Sequence, residues 1–188
     1  MPGDGNRVPV TAGEEPTTDI MPRSAEARRC TPTKQPSTPN LDFEKAETYF
    51  QQVFLPFKFH VPLTTLKLAH EGNRHITGLA HNARAKFQAV REQLNVAGVD
   101  RAYWDIAVEV RIGEIRNLLG EKLSAMPVRL PPAAPNTMSF EWSELHGPRW
   151  AGMKEEARSH WEAAAARGQD LCIDSEWTQL AEQHLSRL

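Results

Sequence analysis

The chain is short of the features that announce a chemistry. It has two cysteines, Cys30 and Cys172, in 188 residues. Two distant thiols do not make the dense cross-linked framework of small secreted domains, so a reducing, intracellular setting, cytoplasmic or nuclear, is the simpler expectation. Long apolar runs are missing. Nothing reaches the length of a bilayer crossing or reads as an early signal-peptide core, and membrane insertion is not expected. There is no Asn-x-Ser/Thr acceptor site for glycans. An excess of one charge is missing as well: 22 basic and 24 acidic side chains leave a formal charge of -2. A dedicated nucleic-acid binder carries a basic excess, so that role would have to live on one face. The sequence also lacks a glycine-rich phosphate loop after a strand and a nucleophile elbow. The paired Glu-x-x-His motifs of bundle di-iron sites are absent too.

What is present is helical spacing behind a polar tail. Residues 1–39 are rich in Pro, Gly, Thr and Ser and poor in large apolar side chains, and read as disordered. Thr31 and Thr38 each precede a proline there and are candidate phosphorylation sites. From Asn40 on, residues 40–188 read as one helical domain. Phe43, Ala46, Tyr49, Phe50, Val53 and Phe54 recur at three and four, and Pro56 ends that helix. The stretch FKFHVPL alternates with period two, but Pro62 argues against a central strand, so an extended segment laid over a helical core is expected. Thr64 or Thr65 then caps a helix whose apolar positions form an unbroken seam: Leu66, Ala69, Asn73, Ile76, Ala80, Ala83, Phe87, Val90 and Leu94. That seam would pack on a neighbouring helix or close an oligomer. Gly72 and Gly78 weaken the helix, and Gly98 ends it, with Asp100 capping the next.

The third helix, about Arg101 to Ala125, carries Trp104, Val108, Ile112, Ile115, Leu119 and Leu123 on one face, with Val110 and Leu118 widening that stripe. It should fold back on the second as an antiparallel hairpin. Prolines make residues 127–147 an irregular connection pinned by Phe140, Trp142 and Leu145. Pro148 opens a fourth helix with Trp150, Met153, Ala157, Trp161 and Ala164 as its stripe, and Gly168 closes it. Ser175 caps a short fifth helix that faces inward through Trp177, Leu180, Ala181, His184 and Leu185. The expected class is all-α, with about five helices in an irregular bundle around that hairpin.

Histidines are the most chemical residues on offer. His70, Glu71 and His75 resemble a zinc-binding helix motif, but a five-residue step turns the helix through about 500°, which points the two rings apart. His70 and His81 share a face but stand about 16 Å apart along the axis. A metal-dependent enzyme using His70, His75 or His160 would need ligands from other helices. Glu156 and His160, one turn apart, read as an ordinary helix pair. Cys172, between Leu171 and Ile173, reads as a small buried hydrophobe. No cofactor is implied.

Partner binding is the stronger expectation. Five cations on the second helix, Lys67, Arg74, Arg84, Lys86 and Arg91, outnumber Glu71 and Glu92. Such a face suits a protein partner or phosphates. Arg74, Arg84 and Arg91 are therefore the expected charged contacts, with Phe57, Phe59 and Trp142 as apolar anchors. The sequence favours a helical protein-interaction or structural module without catalytic activity, open to self-assembly. A nucleic-acid-associated protein that uses the basic helix over 65–95 is the alternative.

Overall fold

The computed structural model describes residues 36, 39–129 and 142–188, with side chains from His146 onward in the last stretch. Thr31, Thr38, Phe140 and the side chains of Trp142 and Leu145 lie outside the described residues. So does most of the expected tail, of which Pro36 and Pro39 are described. Among the described residues the chain forms five α-helices: α1 (Leu41–Tyr49), α2 (Leu66–Gln93), α3 (Gly98–Ser124), α4 (Trp142–Leu171) and α5 (Glu176–Ser186). None of them is long and apolar enough to cross a membrane.

Asn40 starts α1. Its side chain accepts hydrogen bonds from the amides of Asp42 and Phe43 at 3.1 and 2.9 Å, satisfying donors that a helix start leaves open. The helix continues as a π-helical segment, Phe50–Phe54, before the turn at Pro56. Phe50 and Phe54, at the two ends of that segment, are both buried. Lys122 of α3 ties off the end by donating to the carbonyls of Leu55 and Phe57 at 2.9 and 2.8 Å. The extended stretch follows as expected. Leu63 bridges to Val128, its amide donating to the Pro127 carbonyl at 2.9 Å and its carbonyl accepting from Arg129 at 3.0 Å. Gly72 does more than weaken α2. A Cβ there would stand 3.1 Å from side-chain atoms of Leu63 and Phe59, so the glycine lets this strap lie against the helix.

Thr65 caps α2 by accepting from the Leu68 amide at 3.2 Å. The seam is buried from Ala69 to Leu94, apart from half-buried Asn73, which accepts a hydrogen bond from the Thr77 hydroxyl at 3.1 Å; Leu66 stays exposed. The seam is therefore consumed inside the chain. α3 begins earlier than its spacing suggests, at Gly98, whose φ of +64 suits a glycine. Asp100 sits in the first turn rather than at the cap, where its charge still complements the helix dipole. α3 is the centre of the fold. It packs on α2 along one side and more extensively on α4 along the other. Hence Tyr103, Ile106 and Ala107 are buried along with the expected stripe and Val110.

α4 also departs from expectation. It starts at Trp142, not Pro148, and contains Pro148. The proline forfeits one backbone hydrogen bond to the preceding turn. Trp150, Met153, Ala157, Trp161 and Ala164, all buried, hold the helix from there on. Nor does Gly168 close it. The helix runs to Leu171 and ends in a Schellman turn, with Ile173 donating to the Gly168 carbonyl at 2.8 Å and Cys172 to that of Gln169 at 3.3 Å. Cys172 occupies the left-handed position, φ 54, that glycine would prefer. It is half-buried and disulfide-bonded, not a buried reduced thiol. A disulfide is the state that oxidising compartments maintain, so the cysteine argument for a reducing setting does not stand. Gly168 instead makes room for α5: a Cβ there would meet Thr178 Cγ2 at 2.6 Å. Ser175 caps α5, its hydroxyl accepting from the Thr178 amide at 3.3 Å.

Candidate binding site

Three features of α3 organise the polar chemistry and the surface. The first is a charge cluster among α2, α3 and α4. Asp105, with 8% of its side chain exposed, faces Arg167 at 2.9 Å, Arg101 at 3.6 Å and Arg91 at 3.8 Å. Arg91 also pairs with Glu109, and His160 Nδ1 lies 2.7 Å from the other Glu109 oxygen. Burial alone would push the Glu109 carboxyl up. Hydrogen bonds from His160 and Arg91, aided by the charge of both, reverse this and hold it below its ordinary 4.5. Arg101 turns its remaining donors to the end of α2, reaching the Leu94 carbonyl at 2.9 Å and that of Arg91 at 3.2 Å. Most of these donors are spent on internal carboxylates and helix ends, while Arg91 Nε is buried without a hydrogen-bond partner among the described residues.

A second cluster joins α1, α3 and α5. Arg111 makes a forked contact with Glu47, at 2.6 and 2.7 Å, and pairs with Glu114. His184 Nε2 lies 2.9 Å from Glu114. Burial pushes Glu114 up, but the hydrogen bond from His184 and the Arg111 charge bring it below 4.5.

Beside this cluster lies the third feature, an aromatic hollow of about 500 Å³. Phe43, Tyr103, Trp104 and Trp177 line it, Glu44, Glu47 and Thr48 edge it, and Pro36 and Pro39 complete its wall. The rings are locked together. Phe43 stands 5.1 Å from Trp104 and 5.4 Å from Trp177, centroid to centroid. The Trp177 indole donates to the Tyr103 hydroxyl at 3.1 Å, and that hydroxyl donates to Glu176. The Arg111 guanidinium covers the Trp177 ring at 4.8 Å. A rigid aromatic surface of this kind contacts a ligand at little further entropy cost.

The expected contact residues are scattered. Arg74 is exposed on α2, whereas Arg84 is half-buried in the groove between α2 and α3. Arg91 belongs to the first charge cluster. Phe57 and Phe59 meet edge to face at 5.2 Å and pack against the core, so they anchor the strap internally. His75 packs beside Phe57 at 5.3 Å, and His160 is held by Glu109 rather than by Glu156, which pairs with Arg116. Among the described residues no three His, Cys, Asp or Glu side chains converge as a metal-binding group. The sequence reading missed Tyr103, whose partners lie more than 70 residues away. It also placed Phe43, Trp104 and Trp177 in core stripes without bringing them to one surface. The abundance of tryptophan, five in the chain, was the one available signal. Compared with protein-family models, with curated proteins and with solved structures, the chain matches none.

Proposed function

We propose that this chain is a non-catalytic helical module that binds protein, and that the aromatic hollow is its contact surface. One observation carries the reading: Pro36 and Pro39, in a Pro-x-x-Pro spacing, share that hollow with Phe43, Tyr103, Trp104 and Trp177. Proline-rich segments dock on aromatic grooves because their extended helix is already ordered and loses little freedom on binding. The acidic edge at Glu44 suits a basic residue next to the prolines, such as Lys34 in the chain's own sequence. The tail would then occupy the site in its own chain, and a partner's segment would compete for it. A second copy's tail doing the same is the self-assembling form of this reading.

The test uses the full chain and a peptide with the sequence of residues 31–40, followed by tryptophan fluorescence. Binding should tighten several-fold when Pro36 and Pro39 of the protein are both replaced by Ala, because the internal competitor is weakened. It should vanish in Trp177→Ala. A peptide that binds neither protein, or that ignores Trp177→Ala, sinks the reading. Sedimentation across a concentration series checks exchange between copies: any self-association should be lost in the same double proline variant.

A further inference from the structure

The groove between α2 and α3 carries a separate feature. Thr77, Ala80, His81 and Arg84 project from successive turns of α2, and Ile115, Arg116 and Leu119 from α3, around a cavity of about 180 Å³. Two guanidinium groups and an imidazole therefore share a small lining with no carboxylate among the described residues. This contrasts with the cluster around Asp105, where each nearby arginine has an internal acid to face. Arg84 is half-buried, and its Nε, like those of Arg116 and Arg91, is a buried donor with no hydrogen-bond partner among the described residues. A buried charged donor left unmatched is costly, so the position favours an incoming acceptor. Arg116 is only partly engaged. Its Nε faces Glu156 at 3.0 Å without hydrogen-bond alignment, and that carboxylate is itself 54% exposed. The apolar floor of Ala80, Ile115 and Leu119 lowers the local dielectric, which strengthens any charge-assisted bond made there.

We infer that this groove is a binding site for a small oxyanion of the phosphate-monoester type, held between Arg84 and Arg116. A tetrahedral dianion presents enough oxygens for a planar fork from each of two helices, which a single lysine-type point charge could not match. The cavity volume fits one such group rather than an extended ligand. The inference does not rest on the aromatic hollow, and failure of either leaves the other standing.

The experiment titrates the full chain with inorganic phosphate and with phenyl phosphate at constant ionic strength, with chloride as the control, read by calorimetry. One saturable site is expected for both phosphates. Arg84→Gln should weaken it by about tenfold or more. Arg74→Gln, which removes the same charge from an exposed position on the same helix, should leave it unchanged. Glu156→Gln should tighten it roughly two- to fivefold, because Arg116 loses its competing carboxylate. This last variant guards against misreading a folding defect in Arg84→Gln. Chloride acting as phosphate does, Arg74→Gln and Arg84→Gln weakening binding equally, or Glu156→Gln leaving the affinity unmoved would each overturn the assignment.

Discussion

Replacing Gly113 by alanine tests how the centre of the fold is built. Alanine ordinarily strengthens a helix interior, by about 1 kcal/mol relative to glycine. Here it should do the reverse. A Cβ at position 113 would lie 2.5 Å from Trp161 Nε1 and 2.8 Å from its Cδ1. Trp161 has nowhere to retreat. It is 2% exposed, its indole N–H points to the Val110 carbonyl at 3.3 Å, and His184 stacks on it at 4.3 Å with planes 12° apart. His184 is in turn held by Glu114. Relief therefore means displacing the indole, straining its hydrogen bond and pushing on the His184–Glu114 pair. Overpacking of this sort costs about 1–3 kcal/mol, and a lost buried hydrogen bond about 1 kcal/mol. After the gain in helix propensity the net loss should be about 1–3 kcal/mol. Urea unfolding would read it directly, and the thermal midpoint should fall by about 2–4 °C for each kcal/mol. Trp161→Phe in the Gly113→Ala background should lose less than the two single changes combined, because each relieves the other's strain. A Gly113→Ala protein as stable as its parent would refute the packing argument.

The same substitution at Gly78 should have the opposite sign. No atom lies within 4 Å of a Cβ there, so Gly78→Ala should stabilise by up to about 1 kcal/mol in the same urea assay. Acid sensitivity follows from Glu109 and Glu114, both held below 4.5 in the folded chain. The native state then binds fewer protons than the unfolded state. Their contribution is therefore complete above the ordinary carboxylate range and is lost as pH falls through the lowered folded values. Glu114→Gln should lower stability at neutral pH and flatten the acid limb of the urea midpoint measured against pH; an unchanged acid limb would refute the assignment.

The helices were legible because most of them bury one side. The α2 seam could be read residue by residue, since a helix with one neighbour keeps a sharp apolar stripe. α3 was harder. Covered by α2 and α4 on opposite sides, it loses the contrast between faces that spacing arguments use, and its role as the centre stayed hidden behind a stripe that was correct but incomplete. Boundaries failed where one residue was given too much weight. Pro148 lies inside α4, and Gly168 serves the close approach of Thr178 rather than a stop. Charge was the least legible. Asp105, Glu109, Arg111 and Glu114 look like surface residues along the chain, because several of their partners come from distant helices: His184, for example, lies 70 positions from Glu114.

Arg84 and Arg91 show why no reading of α2 alone could sort its cations. They sit two turns apart on one helix, in the same basic run, and the sequence treats them alike. What separates them is the register of α3. Opposite Arg91 that helix presents Asp105 and Glu109, two carboxylates that ion-pair with it inside the fold. Opposite Arg84 it presents Ile115, Arg116 and Leu119, an apolar floor and a second cation. The first arrangement pairs the arginine with acids of the fold itself. The second leaves like charges in one groove, an arrangement whose repulsion an anion from solution would relieve. A carboxylate in place of Arg116 would make Arg84 a second Arg91. What Arg84 and Arg91 each face is therefore decided by the neighbouring helix.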